Sequence, residues 1–237
     1  LSDPQIVDPL IGADNIVTSE GQLWKYLHKM LSPAFAVQHI SNMRPSVCKP
    51  IYIRFKSHLN INQIAEEIMG FRSILHRMAD SGEKFSLEEH TLHTTFDVIG
   101  KATFGHSMNA KSNGSKALEH WEAMSRAFAK TRESYNPIRK FLAKRVVQHE
   151  TKKLDAILTK LIMKRFEVVV QEKTDLSNKK GLGIMDLILR DYVGEIRQSG
   201  KQGLDPAFLR TAITQVKTLL VGGTGTTSDI ICYTAMM

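Results

Sequence analysis

Apolar side chains in this chain return every three or four residues, and the residues that break helices fall between those runs. Ile61, Ile64, Ile68, Phe71 and Leu75 follow this pattern, as do Leu154, Leu158, Leu161 and Phe166, and then Leu209, Ile213, Val216 and Leu220. A helix turns once in about 3.6 residues, so each set predicts one apolar stripe that must be buried against a neighbour. Strand-type alternation is scarce, and "PIYIRF" at Pro50 to Phe55 is the best local candidate. The chain is therefore predicted to be mainly α, a single domain over residues 1–237 with no internal boundary and no repeat.

Start and stop signals frame the runs. Ser19 and Gln22 have the capping-box form and open "GQLWKYLHKML", which ends before Pro33. Ser86 and Glu89 form a second box, ahead of Leu92, Phe96 and Ile99. A helix is predicted around Trp121 to Lys130, between Asn113-Gly114 and Asn136-Pro137. Asp175 to Gly183 is polar and reads as a loop, and Asp205-Pro206 places an N-cap before a proline at the first helical position.

Composition excludes some functions. Lys and Arg total 32 against 24 Asp and Glu, and the net charge of +8 suits an acidic partner, an anionic membrane surface or a plain solvated basic face. The charge concentrates from Ile138 to Phe166, with few aromatic residues to stack bases, so no nucleic-acid partner is expected. Cys48 and Cys232 have neither metal-ligand spacing nor the pattern of a disulfide framework. No apolar run reaches the length of a membrane span, and no signal peptide is visible; the chain opens on Leu1 rather than Met, so an upstream start is expected.

The last predicted helix runs into "VGGTGTTSD", Val221 to Asp229. Each interior glycine costs about 1 kcal/mol relative to alanine and threonine loses rotamer freedom, so the stretch opposes the helix leading into it. Glycines let a flat, bulky ligand approach the backbone. Thr226 lies four residues beyond Gly222 and its hydroxyl can bond that carbonyl, opening the ladder locally. Helix packing alone also accounts for such a stretch, and the absence of a Gly-Lys-Ser/Thr ending excludes a phosphate cradle. Trp24 and His28, four apart, offer two ring N–H donors on one helix face, which suits a carboxylate or an ordinary surface pair.

Taken together, these stretches resemble the cytochrome P-450 superfamily, in its microsomal and fungal branch. "GQLWKYLHKMLSPAF" is similar to the C helix, where a Trp-x-x-x-Arg pair bonds the haem propionates; "FDVIGKATFG" resembles the E-helix region; "LLVGGTGTTSD" resembles the I helix across the distal haem face. "LIGADNIVTSEG" is similar to the segment that borders the substrate pocket. The resemblance implies an incomplete P-450-like helical fold, C helix to I helix, with haem b (iron protoporphyrin IX) as cofactor. It implies Trp24 and His28 as propionate contacts, Gly222 and Gly223 as close-approach positions, and Thr226 as the oxygen-activating hydroxyl. The implied partners are dioxygen, a small apolar organic substrate, and NADPH acting through a cytochrome reductase. The implied location is the cytosolic face of the endoplasmic reticulum membrane, with an anchor before Leu1.

Two positions depart from the family pattern. His28 stands where the family has Arg, replacing a permanent charge by one that titrates near neutrality. Gly225 stands where the family has an acid. The proximal Cys loop and the Glu-x-x-Arg signature are not found, and Cys232, six residues past Thr226, lies on the distal helix. No residue of this chain is therefore assigned to the metal, and the sequence reads as an internal portion of a longer monooxygenase that does not form the thiolate-ligated site alone. A non-catalytic helical protein using its basic face on an acidic partner or membrane surface is the alternative.

Overall fold

The computed structural model describes residues 4–36, 61–112, 115–171, 183–199 and 203–237. The described residues form nine α-helices and two short 3-10 turns, with no strand among them. In chain order these are α1 (Pro4–Ile11), α2 (Gly21–Leu31), α3 (Ile61–Ser81), α4 (Leu87–Phe104), α5 (Lys116–Glu133), α6 (Pro137–Gln171), α7 (Ile184–Ser199), α8 (Pro206–Gly223) and α9 (Gly225–Met236). The strand candidate at Pro50 to Phe55, Cys48, the loop signal at Asn113-Gly114 and, within the loop expected from Asp175 to Gly183, residues 175–182 lie outside the described residues.

Helix α6 is the spine. Leu154, Leu158 and Ile162 are fully buried, four residues apart, with Phe166 extending the stripe. Against it pack α5, α7 and α8, which bring Met124, Met185, Leu189 and Ala212 into the same core. Two ion pairs clamp the layers. Lys217 of α8 is 4% exposed and reaches Asp155 of α6 at 2.9 Å, while Arg165 of α6 holds the buried Asp186 of α7, whose other oxygen accepts from the Gly183 N–H.

Several helix starts follow their sequence signals. Ser86 accepts from the Glu89 N–H, and Asp205 accepts from Ala207 with Pro206 beside it. Ser115 caps α5 by accepting from Leu118, so that helix begins five residues before Trp121. The capping box at Ser19 does not form. Asn15 organises the turn before α2, its Oδ1 accepting from Val17 and Thr18 and its backbone carbonyl from Ser19; this leaves Glu20 at the N-cap without a side-chain bond.

Helix α3 also departs from its simple stripe. Ile68 is exposed, whereas Glu67 beside it is buried. Lys101 of α4 and Lys111 both pair with the Glu67 carboxylate, and Lys111 donates to the Glu67 carbonyl as well. Burial alone would raise the Glu67 pKa, but the two ammonium groups outweigh it and hold the carboxyl below the usual range. The charge cluster ties this helix to α4 through Glu67 and Lys101.

Candidate functional site

The helix leading into the glycine stretch does break there. Helix α8 ends at Gly223, Thr224 bridges with φ −94° and ψ −73°, and α9 begins at Gly225. Two threonine hydroxyls turn back onto the ladder at this point. Thr224 Oγ1 donates to the Leu220 carbonyl and Thr226 Oγ1 donates to the Gly222 carbonyl, each at 2.6 Å. Such back-bonds compete with the regular ladder, and at this point they coincide with three glycines of low helix propensity, a combination absent from the continuous helices that carry the same back-bonds.

The three glycines do different work. A side chain at Gly222 or Gly225 would meet no atom within 4 Å, so the backbone is open to approach at both. At Gly223 a Cβ would collide with Ile99 of α4; its bareness seats that side chain. Gly222 and Thr226 share an exposed face, whereas Thr224 and Ser228 are buried toward α4.

The buried side of the break is a polar seam. Thr91 Oγ1 lies 2.7 Å from Ser228 Oγ and 3.2 Å from Cys232 Sγ, and Thr95 Oγ1 donates to the Thr224 carbonyl at 3.3 Å. Thr91, Thr94 and Thr95 also bond carbonyls one turn back along α4, so these hydroxyls are satisfied inside the protein. These residues carry a signal that sequence reasoning passed over: three threonines close together inside a helix oppose helix propensity as the glycines do.

A cavity of about 650 Å³ opens beside the break, its wall including Val221, Thr224 and Gly225 with Leu10, Leu92 and Trp121. Leu10 is positioned by the segment that follows it. Gln215 of α8, fully buried, accepts from the Ile16 N–H and donates to the Asp14 carbonyl, and Asn15 ties Asp8, Gly12 and Thr18 together. The tight turn needs Gly12 at φ +104°, where Thr214 also approaches within 3.0 Å of the would-be Cβ. Gln215 had no local sequence signal, because only tertiary contact gives a buried amide its partners.

Trp24 and His28 lie on α2, a different part of the assembly, which packs against α7. Their rings stack at 4.8 Å with 27° between planes, Trp24 is 41% exposed, and His28 is exposed too. None of their three ring nitrogens has a hydrogen-bond partner among the described residues. Between them on the same helix, partial burial and then the negative charge of Glu195 on α7 raise the Tyr26 phenol pKa.

The comparisons with known proteins agree on one family. The cytochrome P-450 family model matches residues 7–235, and the chain belongs to that family. Among curated relatives, the cytochrome P-450 monooxygenase polC of Polytolypa hystricis (strain UAMH7299) is 27% identical over 236 residues, covering 98% of this chain and 38% of the relative. The probable cytochrome P-450 4e1 of Drosophila melanogaster is 29% identical over 118 residues, 48% of this chain and 18% of its own length. The chain thus spans well under half the length of these relatives. The crystal structure of a cytochrome P-450 (CYP102L1) superimposes with a TM-score of 0.66 at 16% identity, covering 98% of this chain and 47% of that one, which establishes the fold.

The family's cofactor is haem, and the residues present fit one. A flat macrocycle needs an unobstructed backbone face, which Gly222 offers, and its carboxylates need donors with free N–H groups, which the exposed Trp24 and His28 rings carry. No group of three or more His, Cys, Asp or Glu arranged for a metal ion occurs among the described residues. No described helix is long and apolar enough to cross a membrane.

Proposed function

We propose that this chain builds the distal part of a haem monooxygenase site, which inserts one atom of dioxygen into a small apolar organic substrate. The observation that carries the reading is the break at Thr224, with Gly222 open on its exposed face and Thr226 Oγ1 seated on the Gly222 carbonyl. Bound haem would supply the redox-active iron of the site.

The chain's own residues then divide the remaining tasks. Trp24 and His28 would hold the propionates through their ring N–H groups, and Gly222 would admit the macrocycle to the backbone. Thr226 donates a hydrogen bond to the Gly222 carbonyl and keeps its oxygen lone pairs as acceptors, which suits it to accept a hydrogen bond from water at the break. Because Gly225 carries no carboxylate, proton delivery falls to that water and the threonine hydroxyl. Gly223 contributes indirectly, by letting Ile99 bring α4 close to the break. Leu10, Leu92 and Val221 give the cavity apolar contacts for an organic substrate. Likeness to the microsomal branch adds electrons from NADPH through a cytochrome reductase, and the endoplasmic reticulum membrane as compartment.

Hemin titration of the chain, followed by Soret absorbance, tests the reading. Saturable binding is expected, weakened about ten-fold, ~1.4 kcal/mol, by Gly222→Phe and less by His28→Gln. Gly222 faces open space, so the phenylalanine is not expected to unfold the chain. A G222F variant that takes up hemin as tightly as the parent would remove Gly222 from the site.

A further inference from the structure

The wall of the cavity beside the break holds two polar groups that the protein itself leaves unused. Trp121 of α5 is only 5% exposed, yet its indole N–H has no hydrogen-bond partner among the described residues and is not sealed from solvent. A buried indole ordinarily finds an acceptor for that hydrogen. Ser125, one turn further along α5 and in the same wall, makes no hydrogen bond to a described residue either, not even back to the Trp121 carbonyl. The hydroxyls around the break behave differently, for Thr91, Thr94, Thr95, Thr224 and Thr226 all bond back onto their own helices.

Two unspent donors on one face of α5 therefore border a space that is otherwise apolar at its inner end, where Leu10, Leu92 and Val221 line it. Charge narrows the ligand further. Glu88 and Glu89, in the first turn of α4, and Glu122 of α5 belong to the same wall, and Glu88 and Glu89 form no ion pair among the described residues. The one cation among the described wall residues, Arg126, is already engaged by Glu122 at 3.0 Å, and His93 of α4 approaches the other Glu122 oxygen at 3.5 Å. The opening is thus locally acidic in a chain of net charge +8. An incoming carboxylate meets like charge there and finds no free cation.

We propose that this cavity selects a neutral substrate with an apolar body and one acceptor oxygen, a carbonyl or a hydroxyl, which takes the Trp121 N–H and is refused when it becomes a carboxylate. Trp121 is then the specificity-determining residue, and Ser125 offers a second hydrogen bond to the same class of oxygen. An oxygen anchored on α5 also fixes how the apolar body lies along Val221 and Gly225, so one contact both selects the molecule and orients it. Calling the ligand a substrate rests on the monooxygenase reading; the preference itself rests on the cavity wall.

Heteronuclear NMR of the full 237-residue chain without hemin tests it, because its two tryptophans give two indole N–H signals that Trp24→Phe assigns. Cyclododecanone, cyclododecane and cyclododecanecarboxylate are the probes. The ketone should move the Trp121 indole signal downfield and leave that of Trp24 in place, and the hydrocarbon should move it far less. In equilibrium dialysis Trp121→Phe, which keeps an aromatic ring, should weaken the ketone by about five- to ten-fold and the hydrocarbon by less than about two-fold. Glu88→Gln with Glu89→Gln should strengthen carboxylate binding by about five-fold and leave the ketone unchanged. The NMR arm uses no variant at position 121, so it decides the matter even where W121F does not fold. Equal shifts of the Trp121 signal by ketone and hydrocarbon would overturn the proposal, as would W121F weakening both probes equally or a carboxylate bound as tightly as the ketone. Ketone selectivity in a chain that takes up no hemin supports the cavity's preference and removes the monooxygenase reading, whereas hemin uptake without ketone selectivity overturns the preference alone.

Discussion

Two long helical runs behave differently in this protein. Residues 137–171 form one unbroken helix, whereas residues 206–236 divide in two at Thr224. The first run has proline only at its opening position and no glycine, and its apolar stripe is buried along its length. The second spends helix stability on three glycines and adjacent threonines, then leaves one face of that costly stretch exposed. Continuity serves the core, and the break serves a surface where something else must approach the backbone.

Breaking the comparison begins with the continuous helix. Leu158→Ala removes a fully buried side chain from the centre of α6 and should cost about 2–5 kcal/mol. For a chain of this size that lowers the melting temperature by roughly 2–4 °C per kcal/mol, read by circular dichroism. A loss well under 1 kcal/mol would show that α6 is not the spine. Gly223→Val comes next, at about 1–3 kcal/mol, because the new side chain displaces Ile99. Adding Ile99→Ala should recover part of the loss, and absence of any recovery would assign the cost to something other than that contact.

Gly222→Ala should have the opposite sign. With nothing within 4 Å of the new methyl group and a helical backbone, it should stabilise by about 0.5–1 kcal/mol through helix propensity. The two glycines, adjacent in sequence, would then differ in the sign of their effect, which sharpens the distinction between an open position and a packed one. A destabilised G222A would place an unseen contact at the break.

The last effect is a slope rather than an offset. Lys111 and Lys101 hold the Glu67 pKa below its unfolded value, so the cluster's contribution is fully present above roughly pH 4.3 and is lost as pH falls through the depressed folded value. Denaturation midpoints followed into acid should fall in the parent, and Glu67→Gln should flatten that limb. The Glu150 carboxylate will add to the slope in the same direction: burial would raise its pKa, but its bond to His120, with Lys153 and His149 nearby, lowers it. An unchanged acid limb in the Gln variant would mean that the Glu67 cluster contributes nothing to it.

The helices were legible because periodicity and caps are local. Leu154, Leu158 and Phe166 share one side of a helix whatever surrounds them, and Ser86 and Asp205 satisfy orphan N–H groups within one turn. Ser19 failed for an equally physical reason: Asn15, four residues before it, holds the local hydrogen bonds of the turn that leads into α2. Glu67 was read past because burial of a charge depends on Lys101 and Lys111, more than thirty residues away in sequence.

At the candidate site the division is the same. The sequence by itself determined that the helix after Asp205 would meet a stretch opposed to it, that Thr226 could reach the Gly222 carbonyl, and that Trp24 and His28 share a face. These follow from fixed spacings along one chain. Only the tertiary structure decided that Gly223 is occupied by Ile99, that Thr91 and Thr95 seal the far side of the break, and that Gln215 holds the segment from Asp14 to Ile16 beside it. Each of those depends on which helix lies opposite, and a residue's partner across a helix contact is set by the packing of both elements, not by its own neighbours in sequence.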